Sequence, residues 1–355
     1  MELLKRPSSE FLSRVSASLC VSLALQGCIA DVDIDESIVD APRLLAVRAT
    51  PAEALPGTLV SYRALYASRR GVEDGVPLAW AYCARRPALA EPGPVSDGCV
   101  EGRDGELLPL GEGAALDDAT LPSDACRLFG PDAPLPTEDE PAGRAADPDV
   151  TGGYHVPLRV TLPDDAKTDV AFFEHRVRCG LAGATPSESI RFQRSARMNA
   201  NPRIADLVVR RVDGGDHLIG VDETLAFDPG ERVSLHVAFP SCPLVDVCGD
   251  DVCGIDDDLV ACAECSEPVG CGGAERYLRF EPGAGIVEER ETLRVTWLAT
   301  TEGFAVERTG IDALDTARET SNAFDAPTSG SGTIFIVARD DRGGVDWRTL
   351  AFTVD

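Results

Sequence analysis

The chain punctuates itself twice in the same way. Pro56-Gly57-Thr-Leu-Val-Ser-Tyr62 and Pro229-Gly230-Glu-Arg-Val-Ser-Leu235 each place a turn dipeptide ahead of a run with period two. In the first run Val60, Tyr62, Ala64 and Tyr66 share one face and alternate with Ser61, Arg63 and Leu65. In the second, Val233, Leu235, Val237 and Phe239 alternate with Ser234 and His236. Alternation of this kind belongs to a strand with one buried face, because successive side chains point to opposite sides of a sheet. A tryptophan in a short apolar segment follows each run, Leu78-Ala-Trp80 and Val295-Thr-Trp297. The second interval is longer, and the surplus matches a cysteine-rich stretch at 241–282. Helical periods of useful length are absent. The pattern predicts an all-β chain of two tandem β-sandwiches, at 42–195 and 202–355, with a disulfide-rich insert at 241–282 in the second.

Further strands are expected at Pro42 to Thr50, Pro77 to Cys83, His155 to Leu162 and Val170 to Cys179, with a short one at Ile190 to Phe192. Arg197 to Asn201 reads as the connection between the halves. Residues 84–150 are rich in Pro, Gly, Asp and Glu without a period, so they read as a long loop stapled by Cys99 and Cys126. At the C-terminus, Thr333 to Arg339 is a β run, and Asp340-Asp-Arg-Gly-Gly344 is a turn whose glycines permit positive φ. Trp347 to Val354 then alternates, with Leu350, Phe352 and Val354 inward. With Asn322-Ala-Phe-Asp-Ala-Pro327 ahead of it, this ending resembles the final hairpin of bacterial surface immunoglobulin-like domains, including the polycystic-kidney-type repeats. The resemblance implies that the sandwiches are immunoglobulin-like.

The N-terminus has the parts of an export signal. Lys5, Arg6 and Arg14 precede an apolar run from Val15 to Leu25 that is too short to span a bilayer as a helix. Leu25-Gln26-Gly27-Cys28 resembles a bacterial lipobox. That resemblance implies removal of 1–27, lipidation of Cys28 and membrane attachment through acyl chains, several of which hold a protein stably where one is marginal. Ile29 follows the cysteine rather than the aspartate of inner-membrane retention, which favours an outer-membrane location. The residues alone also allow an ordinary cleaved signal with Cys28 in a disulfide. Residues 28–41 are acidic, lack a core pattern and read as a solvated tether. The chain as a whole resembles lipoproteins of myxobacteria.

A formal charge of −27 over 355 residues repels nucleic acid and anionic headgroups, so no nucleic-acid partner is expected. Of twelve cysteines, Cys20 leaves with the signal and Cys28 is the anchor. The others are Cys83, Cys99, Cys126, Cys179, Cys242, Cys248, Cys253, Cys262, Cys265 and Cys271. An even number in an exported chain reads as disulfides, four cysteines serving the first half and six a local cassette, with the pairing left open. The cassette is similar to the small Cys-Gly-Asp-Gly-x-Cys modules of myxobacterial secreted proteins, although Asp251 stands where a glycine is usual. So short a segment cannot bury a core of its own and needs cross-links. Cys248, Cys253, Cys262 and Cys265 have a spacing that could also hold zinc, which an oxidising compartment disfavours. Asp250, Asp251, Asp256, Asp257 and Asp258 gather hard oxygen ligands without the EF-hand order, so they read first as a solvated acidic loop and second as a weak calcium site.

The four histidines, His155, His175, His217 and His236, have no metal-type or nucleophile-type spacing. The H-E-x-x-H, G-x-S-x-G and phosphate-loop motifs do not occur. Trp80, Trp297 and Trp347 are expected in a core or on a sheet face. The chain therefore reads as a non-enzymatic envelope lipoprotein with a binding, adhesive or structural role. It would meet envelope proteins or polysaccharide through loops or sheet edges. The alternatives are a subunit of an envelope assembly machine and a hydrolase with its site in 84–150.

Overall fold

A computed structural model describes residues 37–87, 94–132, 135, 149–162, 169–212, 214–220, 223–242 and 271–355. The first half carries β1 (Arg43–Thr50), β2 (Glu53–Ala54), β3 (Leu59–Ser68), β4 (Gly71–Val72), β5 (Ala79–Cys83), α1 (Asp97–Glu101), β6 (Leu107–Glu112), β7 (Ala115–Thr120), α2 (Ala125–Phe129), β8 (Gly153–Leu162), β9 (Asp169–Arg178) and α3 (Pro186–Ser195). The second carries β10 (Asp206–Arg211), β11 (Asp216–Leu218), β12 (Thr224–Phe227), β13 (Arg232–Ala238), β14 (Arg276–Glu281), β15 (Gly285–Arg290), β16 (Leu293–Ala299), β17 (Arg308–Ile311), β18 (Glu319–Asp325), β19 (Gly330–Asp340) and β20 (Val345–Val354).

The two halves share one pairing scheme. In the first, β3 lies between β1 and β7, facing a sheet ordered β2-β9-β8-β5-β6. In the second, β13 lies between β10 and β18, facing a sheet ordered β12-β20-β19-β16-β17. The small strands β2 and β12 both run parallel to the last strand of their half, β9 and β20. These are two immunoglobulin-like sandwiches in tandem. The matched turn dipeptides open equivalent strands, with Gly57 at φ 75° and Gly230 at φ 70°, a region that glycine enters without steric cost. Trp80 and Trp297 occupy equivalent central strands and are buried in their cores. Each indole N–H is satisfied, by the Gly113 carbonyl at 2.8 Å and by Thr309 Oγ1 at 2.9 Å. Leu350, Phe352 and Val354 point inward as the alternation requires.

Four expectations change. Residues 84–150 are not one loop, because α1, β6, β7 and α2 lie within them. These elements are too short to carry a period. Ser96 caps α1 by accepting from Cys99 N at 3.3 Å, and Gly102 closes it at φ 71°. Ile190 to Phe192 is helical, inside α3, not a strand. The local signal is a capping box, with Thr185 and Glu188 satisfying each other's backbone N–H groups and Pro186 in the first turn. The tether 28–41 is not solvated to its end. Val39 donates to the Ala299 carbonyl at 2.7 Å and Ala299 to the Ser37 carbonyl at 2.9 Å, so this segment lies along the second sandwich before the chain enters the first. Finally, the insert does not stop at 282. A separate hairpin, β14–β15, follows the cassette before β16 resumes the sandwich.

The expected outward face of β3 is also covered. Leu65 and Ala67 on β3 and Ala46 on β1 pack against Leu298, Phe335 and Val337 from β16 and β19. The sandwiches thus lie face against face.

Candidate functional site

Among the described residues three disulfides form. Cys83 on β5 bonds Cys99 on α1, and Cys126 on α2 bonds Cys179 just beyond β9, with Cα separations of 5.4 and 5.5 Å. The four cysteines of the first half therefore pair among themselves. Cys83 and Cys99 are wholly buried with Val95, Leu107 and Phe172 in a small apolar cluster, which lets a five-residue helix hold its place. Cys242 bonds Cys271 across 29 positions and ties off the two ends of the cassette. Cys28, Cys248, Cys253, Cys262 and Cys265 lie outside the described residues, as do Asp250, Asp251, Asp256, Asp257 and Asp258.

The base of the cassette is built for close approach. A β-carbon on Gly273 would overlap the Pro240 carbonyl oxygen and crowd the Cys242 sulfur, so only glycine fits beside this disulfide. Arg203 N donates to the Gly272 carbonyl at 2.7 Å, which links the base to the start of the second sandwich.

A second constellation, not anticipated from the sequence, joins the two sandwiches. Glu53 on β2 is fully buried between Arg178 Nε at 2.9 Å and Arg176 Nε at 3.4 Å, and it accepts from Asn199 N at 2.7 Å. Across the connection, Arg342 in the β19–β20 turn donates to Glu291 Oε1 at 2.6 Å and Glu275 Oε2 at 3.0 Å, and it stacks over Tyr277. The carbonyl of Arg197 receives a guanidinium from each side, Arg178 at 2.5 Å and Arg342 at 3.4 Å. Asp340 accepts from Asn199 Nδ2 at 3.2 Å, Arg342 N at 2.9 Å and Gly344 N at 2.7 Å. A β-carbon on Gly344 would overlap the Asp340 carboxylate, which explains the second glycine of the Asp-x-x-Gly-Gly turn.

The electrostatics of this junction follow from burial and partner count. Burial raises Glu291 well above the usual carboxylate range, and the nearby Asp340 and Glu275 add to that despite Arg342. Burial likewise raises Glu275 and Asp340. For Glu53 burial acts in the same direction, but the Arg176 and Arg178 charges outweigh it and hold the carboxyl low. Outside the buried set, Arg48 bonds Asp346 at 2.8 Å and stacks on Trp347, which sits at the junction, not in a core. Arg339 donates to the Leu45 carbonyl and Asn201 to the Ala49 carbonyl, so the connection is fastened at several points.

The histidines are placed singly. His175 lies in the first core, its Nδ1 2.5 Å from Tyr62 OH, which in turn is 2.7 Å from Tyr82 OH. Burial lowers His175 to about 4 and raises Tyr82 to about 12, so both are neutral at physiological pH. His155 pairs with Glu174 at 3.6 Å, His217 with Glu223 at 2.5 Å, and His236 with Ser234 Oγ at 3.0 Å. Among the described residues no group of three or more His, Cys, Asp or Glu is placed to hold a metal ion, and no helix is long and apolar enough to cross a membrane.

No family model and no curated protein matches this chain. Solved structures align loosely. Fibronectin(III)-like modules of Clostridium thermocellum CbhA align at 9% identity over 87% of this chain and 94% of theirs, with a TM-score of 0.18. The Yersinia pseudotuberculosis adhesin InvE aligns at 10% identity over 88% of this chain and 60% of its own, with a TM-score of 0.20. The native E. coli alpha-2-macroglobulin aligns at 10% identity over 89% of this chain and 16% of its own, with a TM-score of 0.19. Superpositions this loose carry no argument, and the fold assignment rests on the strand pairing described above.

Proposed function

We propose that this protein is an exported lipoprotein, held through Cys28 at the outer membrane, whose two sandwiches form a rigid, non-catalytic mount for the cysteine cassette. The observation that carries this reading is the junction. Tandem domains joined by a free linker would move independently, whereas here an apolar face and a buried ionic cluster grip the connection from both sides. A stiff mount with a disulfide-tied insert at one end suits directional contact with an envelope protein or a polysaccharide. The disulfides fit an oxidising compartment outside the cytoplasm. The cassette carboxylates would add weak calcium affinity.

The test is photocrosslinking in intact cells from a reactive residue at Asp257, followed by mass spectrometry. One reproducible envelope protein would identify an assembly or receptor-type subunit. No protein partner, with the cassette open to external protease, would point to adhesion or matrix binding. Release of the Cys28→Ser variant from the membrane fraction checks the anchor, and its full retention would remove that part of the reading. Calorimetry of the mature chain with millimolar calcium checks the cassette, where absence of heat would remove the ion.

A further inference from the structure

A pocket of about 390 Å³ opens at the end of the second sandwich, where the chain enters and leaves the cassette. Its floor is apolar and belongs to the core, with Phe239, Leu293 and Ile311 all buried. Its walls carry three guanidiniums, Arg276, Arg290 and Arg318. In a chain of formal charge −27 this is a local reversal of sign.

Among the described residues the guanidiniums are poorly compensated. Arg276 and Arg290 stand directly opposite each other in the β14–β15 hairpin, an arrangement that costs stability because like charges face across the ladder. Arg276 has a carboxylate partner, Glu288. Among the described residues Arg290 has none: its bonds go to the carbonyls of Ala274, at 3.4 Å, and Asp315. The Arg318 side chain is exposed and makes no ion pair or hydrogen bond among the described residues. Among the described residues lining it, the one carboxylate, Asp315, is engaged by Ala317 N at 2.8 Å. Leu314 stands at the lip, 98% exposed. A sequence that breaks local charge rules around an apolar hollow does so at functional sites more than elsewhere.

We propose that this pocket binds a small organic anion with an apolar body, the body lying on Phe239, Leu293 and Ile311 and the anionic head meeting Arg318 and Arg290. The volume lies at the lower end of small-molecule sites. A negative head would also relieve the repulsion between Arg276 and Arg290. The site rests on described residues and needs neither the anchor nor the cassette's role as a contact surface.

The probe is anilinonaphthalene sulfonate, titrated into the mature chain and followed by fluorescence, with neutral phenylnaphthylamine as the uncharged control. Saturable one-to-one binding of the anionic dye is expected. Arg318→Glu should weaken it roughly tenfold or more, while Arg318→Lys stays within about threefold of wild type, since losing a charge-assisted bond and adding repulsion exceeds one decade in affinity. Because Arg318 is exposed, the circular dichroism of both variants should match wild type. Equal affinity of wild type and Arg318→Glu, equal binding of the neutral dye, or no saturable binding would each overturn the proposal.

Discussion

Arg342 sits at a point where removing the cation and neutralising one carboxylate should cost very different amounts. It is 3% exposed and stands among Glu275, Glu291 and Asp340, all buried and all raised in pKa by that burial. Arg342→Ala leaves buried carboxyls without their cation and should cost about 3–5 kcal/mol in urea unfolding. Glu291→Gln keeps an acceptor for the guanidinium and removes a charge that the site already disfavours, but it turns an amide N–H toward Glu275 N, which now donates to Glu291 Oε2 at 2.9 Å, so it should cost about 1–2 kcal/mol, well below Arg342→Ala. If the two variants were equally damaging, the charges would matter less here than packing does. His175 gives a pH signature. It is neutral in the folded core down to about pH 4, whereas the unfolded chain takes up its proton below about 6.5. The unfolded state therefore binds more protons in that window, and stability falls as the pH drops through it, by on the order of 3 kcal/mol. Glu275, Glu291 and Asp340 act oppositely, since the folded state holds protons that the unfolded state has released, and their stabilisation is lost as pH rises. The contribution of His175 is isolated by comparing wild type with His175→Gln from pH 7 to 4, where the variant should show the flatter acid slope in urea midpoint.

At the scale of elements, α3 and the β14–β15 hairpin form the least obvious contact. Phe192 of α3 and Phe280 of β14 meet with Leu181 in a small cluster of their own, and Phe280 N donates to the Val150 carbonyl. The last helix of the first half thus clamps the hairpin inserted in the second. Phe192→Ala should cost about 3–5 kcal/mol, as for other large buried aromatics, and Thr185→Ala about 1 kcal/mol through loss of the helix cap. A chemical-denaturation series on the two variants checks the order, and a Phe192→Ala cost near that of Thr185→Ala would mean that the clamp is loose. The disulfides differ in reach. Cys126–Cys179 closes 53 positions and Cys83–Cys99 only 16, so replacing the first pair by alanines should be the more damaging, in the range of about 2–4 kcal/mol.

For the whole molecule, the packed faces predict one unfolding event rather than two. Leu298, Phe335 and Val337 are buried in one cluster with Ala46 of β1, Leu65 and Ala67 of β3 and Val39 of the segment ahead of them. Calorimetry of the mature chain should give a single transition, and a fragment of 202–355 should melt lower and aggregate through the uncovered face. Two resolved transitions, or a fragment as stable as the parent, would show that the faces merely touch. The connection 196–201 should resist proteases, because its carbonyls and side chains are bonded from both sides.

Much of this was legible in the chain. The alternation at Val60 and Val233, the Pro-Gly turns, the paired tryptophans and the inward triplet Leu350, Phe352 and Val354 depend on local period, and local period is what a strand with one buried face imposes. The tandem sandwiches and the place of the insert followed from these. The elements inside 84–150 were not legible, since five- and six-residue pieces held by disulfides need no period, and α3 announced itself only through its Thr185–Glu188 cap. What tertiary structure alone decided was the meaning of the second face and of the charges. Leu65 reads as the polar side of a strand until another sheet covers it. Glu53, Arg178, Asn199 and Arg342 stand far apart in a chain full of ionisable residues. Their roles come from the low-dielectric space in which the fold brings them together, and no spacing along the sequence encodes that.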